Sequence, residues 1–139
     1  YVSSLYKGQV LETILQDVLD TPVSPELLPQ EDDKIVQKTE DIVGPYELHD
    51  FFIYHMVRFG DEPRKLYKKT KLAFKDKYDK DTIKKWLRLF YWRFFSQQFK
   101  RSCIPDGPKV GSVALSPRGD WRMPSDANVQ IWLDEVERI

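Results

Sequence analysis

Cysteine is nearly absent from this chain of 139 residues. Cys103 stands alone, so no internal disulfide can form, and the composition fits a reducing compartment. It precedes Ile104-Pro105 with no signalled base nearby, which argues against a thiol nucleophile. Histidine is almost as scarce. His49 and His55 lie six apart, do not share a helix face and make a poor metal pair. No Cys or His cluster has metal-ligand spacing. No apolar run approaches the ~20 residues of a membrane span, and no stretch reads as a secretory signal. A Walker-type Gly-rich Lys loop is missing. Apolar–polar alternation is nearly missing outside one loop, so a strand-rich fold is excluded.

What is present is aromatic. Four Trp, seven Tyr and eight Phe supply more ring area than a surface carries, so much of it must form a core. The length is one domain's worth. Net charge is zero, yet the charges are segregated. Gln9 to Asp50 holds two basic and eleven acidic residues, whereas Asp61 to Arg101 holds fourteen basic and five acidic. Such asymmetry can mark nucleic-acid or membrane contact, two halves packing together, or a solvated basic face. The lysines fall opposite an apolar stripe, which favours the solvated face.

Periodicity predicts about five helices and a mainly α fold. From Gln9, the residues Val10, Leu11, Ile14, Leu15, Val18 and Leu19 give one broad apolar face, and Pro22 ends it. Residues 21–43 read as a loop, broken by Pro22, Pro25 and Pro29, of the kind that covers a site. Gly44-Pro45 opens the second helix, with Leu48, Phe51, Phe52, His55 and Phe59 as its stripe and Gly60 as its stop. On that stripe His55 reads as a core residue rather than a ligand. Pro63 opens the third helix, with Leu66, Tyr67, Thr70, Ala73 and Phe74 inward. Asp79 or Asp81 caps the fourth, where Ile83, Trp86, Leu87, Phe90 and Phe94 form one side and Leu89, Trp92, Phe95 and Phe99 a second. The helical core thus runs over 44–99, a closing loop over 100–125, and a terminal helix capped by Ser125 or Asp126 over 126–139.

The closing loop is long for a compact domain. Phe99, Ile104, Val110, Val113, Leu115 and Trp121 anchor it, and a short extended piece is expected at Lys109 to Leu115. Lys100, Arg101, Lys109, Arg118 and Arg122 punctuate it. Cations fixed on a structured loop are what phosphate or carboxylate binding needs. They are equally what a solvated crossing loop shows.

The order of residues separates these readings. Ser96-Gln97-Gln98-Phe99-Lys100-Arg101-Ser102, Pro105-Asp106-Gly107-Pro108-Lys109-Val110 and Leu115-Ser116-Pro117-Arg118-Gly119-Asp120-Trp121-Arg122-Met123-Pro124-Ser125-Asp126-Ala127 resemble the closing motifs of glutamine-dependent NAD synthetases. The resemblance extends upstream through Thr21 to Leu27, Gln37 to Asp41 and Gly44 to Phe52. It implies a C-terminal piece of an α/β synthetase domain of the ATP-pyrophosphatase (adenine nucleotide alpha hydrolase-like) type, its parallel sheet supplied from upstream. In that family the synthetase uses ATP and Mg²⁺ to adenylate nicotinic acid adenine dinucleotide. Ammonia from a glutaminase domain then displaces AMP to give NAD. The Ser-Gly-Gly-x-Asp-Ser ATP loop, the glutaminase residues and the acidic Mg²⁺ ligand are absent from this sequence, so the piece is expected to be inactive alone and to hold no metal. By the resemblance Lys100 contacts the dinucleotide. Phe99 helps place it, Arg122 and Arg118 border the site with Asp120, and Ser24 lies at the ATP. Ser24 also reads as a turn or cap hydroxyl. Glu40 and Asp41 have no firm role. The expected partners are the remaining synthetase and glutaminase domains and further copies in a homo-oligomer, in the cytoplasm. A different reading is a helical module using its basic face for nucleic acid or a protein partner.

Overall fold

The computed structural model describes residues 1–21, 39–109 and 111–139. Most of the loop expected over 21–43, Ser24 included, therefore lies outside the described residues. Among those described the chain is all helix, with eight helices and no strand. It divides into two units, residues 1–42 and 43–139.

In the first unit α1 (Val2–Leu5) packs on α2 (Val10–Asp20). The carboxylate of Glu12 accepts from Gly8 N–H at 2.6 Å, ahead of the first turn of α2. Thr21 closes the other end, its hydroxyl donating to the Asp17 carbonyl at 2.9 Å. The helix matches its periodicity, but Val10, Ile14, Val18 and Leu19 are all more than half exposed. α3 (Thr39–Val43) then corrects one expectation, since the end of the stretch read as loop is a helical turn.

The second unit is built on α6 (Lys80–Ser96), which contacts α4 (Tyr46–Phe59), α5 (Pro63–Ala73), α7 (Gln98–Ser102) and α8 (Gln130–Glu137). Pro45 is the N-cap of α4 rather than its first helical residue. Gly60 ends α4 in the left-handed region at φ 65°, the conformation glycine adopts freely. Pro63 starts α5, where its missing N–H costs nothing. The next donor, the Arg64 N–H, is capped from α8 by Glu135 at 3.0 Å. Asp79 caps α6, accepting from the Thr82 N–H at 2.8 Å.

The core unites Leu48, Phe52 and Met56 of α4, Leu66 and Tyr67 of α5, six residues of α6, and Leu133 and Val136 of α8. Truncating a buried ring at its centre, as in Phe52→Ala, is expected to lower unfolding free energy by about 3–5 kcal/mol. Urea denaturation reads this directly. Three expectations change here. Phe59, placed on the buried stripe, is 54% exposed although it continues the 48–52–56 face, because it is the last residue of α4, just ahead of the Gly60 stop. On α6 the stripe takes in Tyr91, fully buried, while Trp92 is left 43% exposed. Ala73 is exposed at the end of α5, so it is not an inward residue.

The helix expected to run through Phe99 breaks at Gln97, and α7 follows as a separate short turn. No strand forms in the described part of Lys109 to Leu115. The last helix starts at Gln130, with Val129 as N-cap, whereas Ser125 and Asp126 make a turn before it. Asn128 supplies the polar oxygen, accepting from the Gln130 N–H at 2.7 Å.

Candidate functional site

The five cations of the closing loop fall into two groups. Arg101 folds back on its own helix. Its guanidinium donates to Gln98 Oε1 at 2.9 Å and to the Phe94 carbonyl, and it lies 4.3 Å from the Phe94 ring centroid. Burial pushes its pKa down. Arg118 clamps the loop, donating to the Ser102 carbonyl at 2.9 Å and to the Ile104 carbonyl, with Asp106 3.3 Å away. Lys109 pairs with Asp120 at 2.7 Å, and Asp120 also accepts from the Ala114 N–H at 2.8 Å. Hydrogen bonds from Lys109 and that N–H hold the Asp120 carboxyl below its usual range. These three cations shape backbone.

Lys100 and Arg122 are different. Both are exposed, and the side chain of neither has a hydrogen bond or ion pair among the described residues. Phe99, beside Lys100, is 52% exposed. Arg122 borders two depressions. One is an open groove of 610 Å³ formed with Pro117, Arg118, Met123 and Pro124. The other is a cleft of 670 Å³ walled by Met56, Phe95, Trp121, Met123 and Trp132, with Asp61, Glu62, Asp120 and Asn128 among its polar edges. The structure thus brings Arg118 and Arg122 to one groove, which Phe99 and Lys100 do not line.

Gln98 links the two stretches. Its side chain is fully buried, its Nε2 donates to the Met123 carbonyl at 3.2 Å, and its Oε1 accepts from Arg101. The turn carrying Phe99 and Lys100 is thereby tied to the segment carrying Arg122. Sequence reasoning passed over Gln98. Its signal was a polar residue continuing the 83–87–91–94 stripe, where a buried amide must be fully bonded.

A second polar cluster was also missed. Asp61 is buried after the end of α4, with Lys65 at 2.7 Å, Lys69 in contact and His55 Nδ1 at 3.2 Å. The spacing Asp61, Lys65, Lys69 at the start of a Pro-initiated helix was the available sign. Burial opposes ionisation of Asp61, but Lys65 and Lys69 outweigh it and bring the carboxyl to about 2, from an ordinary 3.8. The folded pKa is below the unfolded one, so the stabilisation is present above about pH 4 and lost as pH falls towards about 2. Acid titration followed by circular dichroism should show Asp61→Asn flattening the loss of stability in that window. His55 is accordingly a bonded structural residue, its ring centroid 4.3 Å from that of Phe51. His49 serves elsewhere, bonded through Nε2 to the Val43 carbonyl, with burial lowering its pKa.

The basic run is similarly engaged. Lys71 lies over the Tyr67 ring, Lys77 pairs with Glu47, Lys84 donates to the Glu137 carbonyl, Lys85 lies over Trp86, and Arg88 pairs with Glu137. Among the described residues no group of three His, Cys, Asp or Glu could hold a metal ion, and no helix is long and apolar enough to cross a membrane.

No family model matches the chain. Whole-sequence similarity is decisive instead. The glutamine-dependent NAD(+) synthetase of Mycobacterium leprae is 44% identical over 98% of this chain. The enzymes of the same name from Mycobacterium bovis and Mycobacterium tuberculosis are 40% identical over 94%. The chain is related to the glutamine-dependent NAD(+) synthetases. It spans 22% of the length of these relatives. The NAD(+) synthetase relationship covers α7 and the closing loop together with the helical unit beneath them, so Lys100 and Arg122 belong to a matched scaffold rather than to an isolated motif.

Proposed function

We propose that this chain is the closing, C-terminal segment of a glutamine-dependent NAD synthetase, a ligase that makes NAD from nicotinic acid adenine dinucleotide with ATP and ammonia drawn from glutamine. The product forms through an adenylated intermediate. In this reading Lys100 and Arg122 contact the dinucleotide, Phe99 sets the position of Lys100, Arg118 borders the groove, and Ser24 meets the ATP. The observation that carries it is the sorting of the loop cations. Three are bound to backbone or to aspartate, and the two left without a partner among the described residues lie in the motifs that resemble the substrate-contacting ones.

The chemistry fits. An uncommitted lysine attracts the anionic acid form of the dinucleotide over its neutral amide product. It therefore selects the substrate over the product and aids product release. Mg²⁺ and ATP act in the complete enzyme, with the metal ligands supplied from outside this segment. The fragment alone is inactive, because the ATP loop and glutaminase lie elsewhere. Its partners are those remaining domains, and the exposed apolar face of α2 supports association with them or with further copies, in the cytoplasm. The engagement of most lysines of α5 and α6 with acidic, aromatic or backbone partners weighs against the nucleic-acid reading, since phosphate contact needs free cations.

In the assembled synthetase, Lys100→Ala should reduce kcat/KM for nicotinic acid adenine dinucleotide roughly 10–100-fold, the scale of one lost charge-assisted bond. An unchanged kcat/KM would remove Lys100 from the site.

A further inference from the structure

The cleft beside Arg122 has a chemistry that the dinucleotide reading does not use. Its walls are Phe95, Trp121 and Trp132, with Met56 and Met123 between them. Phe95 and Trp132 pack with ring centroids 4.5 Å apart and their planes tilted by 35°. A volume of 670 Å³ falls within the range of small-molecule sites.

Its charged groups are unequal. Asp61 is neutralised by Lys65 and Lys69, and Asp120 by Lys109. Asn128 accepts from a backbone N–H. Glu62 is the N-cap of α5, yet its carboxylate makes no capping bond, because the Arg64 N–H is served by Glu135. Among the described residues, the charged groups of the cleft left without a partner are therefore one anion, Glu62, and one cation, Arg122.

We propose that this cleft is a binding site for a small zwitterionic aromatic molecule. The ring lies among Phe95, Trp121 and Trp132. The acidic group of the ligand meets Arg122, and its basic group meets Glu62. Aromatic walls favour a flat ring by stacking, and each charge selects its opposite through a charge-assisted hydrogen bond. Arg122 also borders the open groove, so occupancy of the cleft competes with dinucleotide for that cation.

The test is calorimetric titration of this chain with 4-(aminomethyl)benzoate, benzoate and benzylamine. The zwitterion should bind at least about tenfold more tightly than either singly charged probe. Arg122→Gln should abolish its advantage over benzylamine, and Glu62→Gln its advantage over benzoate. Both residues are exposed, so circular dichroism should show both variants folded. Equal affinities for the three probes, advantages that survive both substitutions, or no saturable binding at millimolar probe would each overturn the proposal. A chain that binds dinucleotide but not the zwitterion would fail this inference alone, and the converse would fail only the placing of dinucleotide contacts on this segment.

Discussion

Gly44→Ala should lower unfolding free energy by about 2–4 kcal/mol, the sum of backbone strain and an overpacked contact. Gly44 precedes α4 at φ 94°, a region that an alanine adopts only under strain. It is also buried, and a Cβ built there would lie 2.5 Å from the indole of Trp86. That contact is with a rigid ring on the central helix, not with the end of a flexible chain. Either Trp86 shifts, disturbing the packing of α6, or the start of α4 moves away from it. Urea denaturation of the second unit measures the loss. Gly60→Ala gives the contrast: the same sign of φ, but open space around the added Cβ. It should cost only about 1 kcal/mol, the strain alone. Equal costs at the two positions would show that the Trp86 contact carries no weight.

Gln98→Leu should cost about 2–4 kcal/mol and weaken dinucleotide binding as well. Leucine fills similar volume but offers no hydrogen bond. The Met123 carbonyl and the Arg101 guanidinium each lose a partner in a half-buried setting, and an unsatisfied group there costs about 1–3 kcal/mol. The functional effect follows from what the amide joins. It ties the turn bearing Phe99 and Lys100 to the segment bearing Arg122. Gln98→Glu separates the two bonds, keeping an acceptor for Arg101 and losing the donor to Met123. Its stability should lie between wild type and Gln98→Leu, while its dinucleotide affinity should fall as far as that of Gln98→Leu. Full affinity in Gln98→Glu would show that the Met123 tether does not position the site.

The helices that carried their own punctuation were legible in the sequence. Gly60, Pro63 and Asp79 are each a local steric or hydrogen-bonding instruction, and each element begins or ends where the residue says. The break at Gln97 has no such mark. It arises from tertiary bonds, because burying Gln98 against Met123 and folding Arg101 onto Phe94 requires the helix to re-aim. The start of α8 was misplaced for a related reason. Ser125 and Asp126 have cap chemistry, but the stripe of Leu133 and Val136 docks on α6 from a helix that begins only at Gln130. Phe59 shows the limit of composition. It is exposed, yet its ring contacts Tyr54 and His55 and receives Lys69 at 5.4 Å.

In the site, the residue types were legible and the division of labour was not. Five cations in a loop look alike as letters. Only the carbonyls of Phe94, Ser102 and Ile104, and the carboxylate of Asp120, distinguish those that build the loop from those left for a ligand.

The most direct measurement is calorimetric titration of this chain with nicotinic acid adenine dinucleotide, wild type against Lys100→Ala. Saturable heats are expected in the wild type and should disappear in the variant. Saturable binding of the same affinity in Lys100→Ala would contradict that expectation.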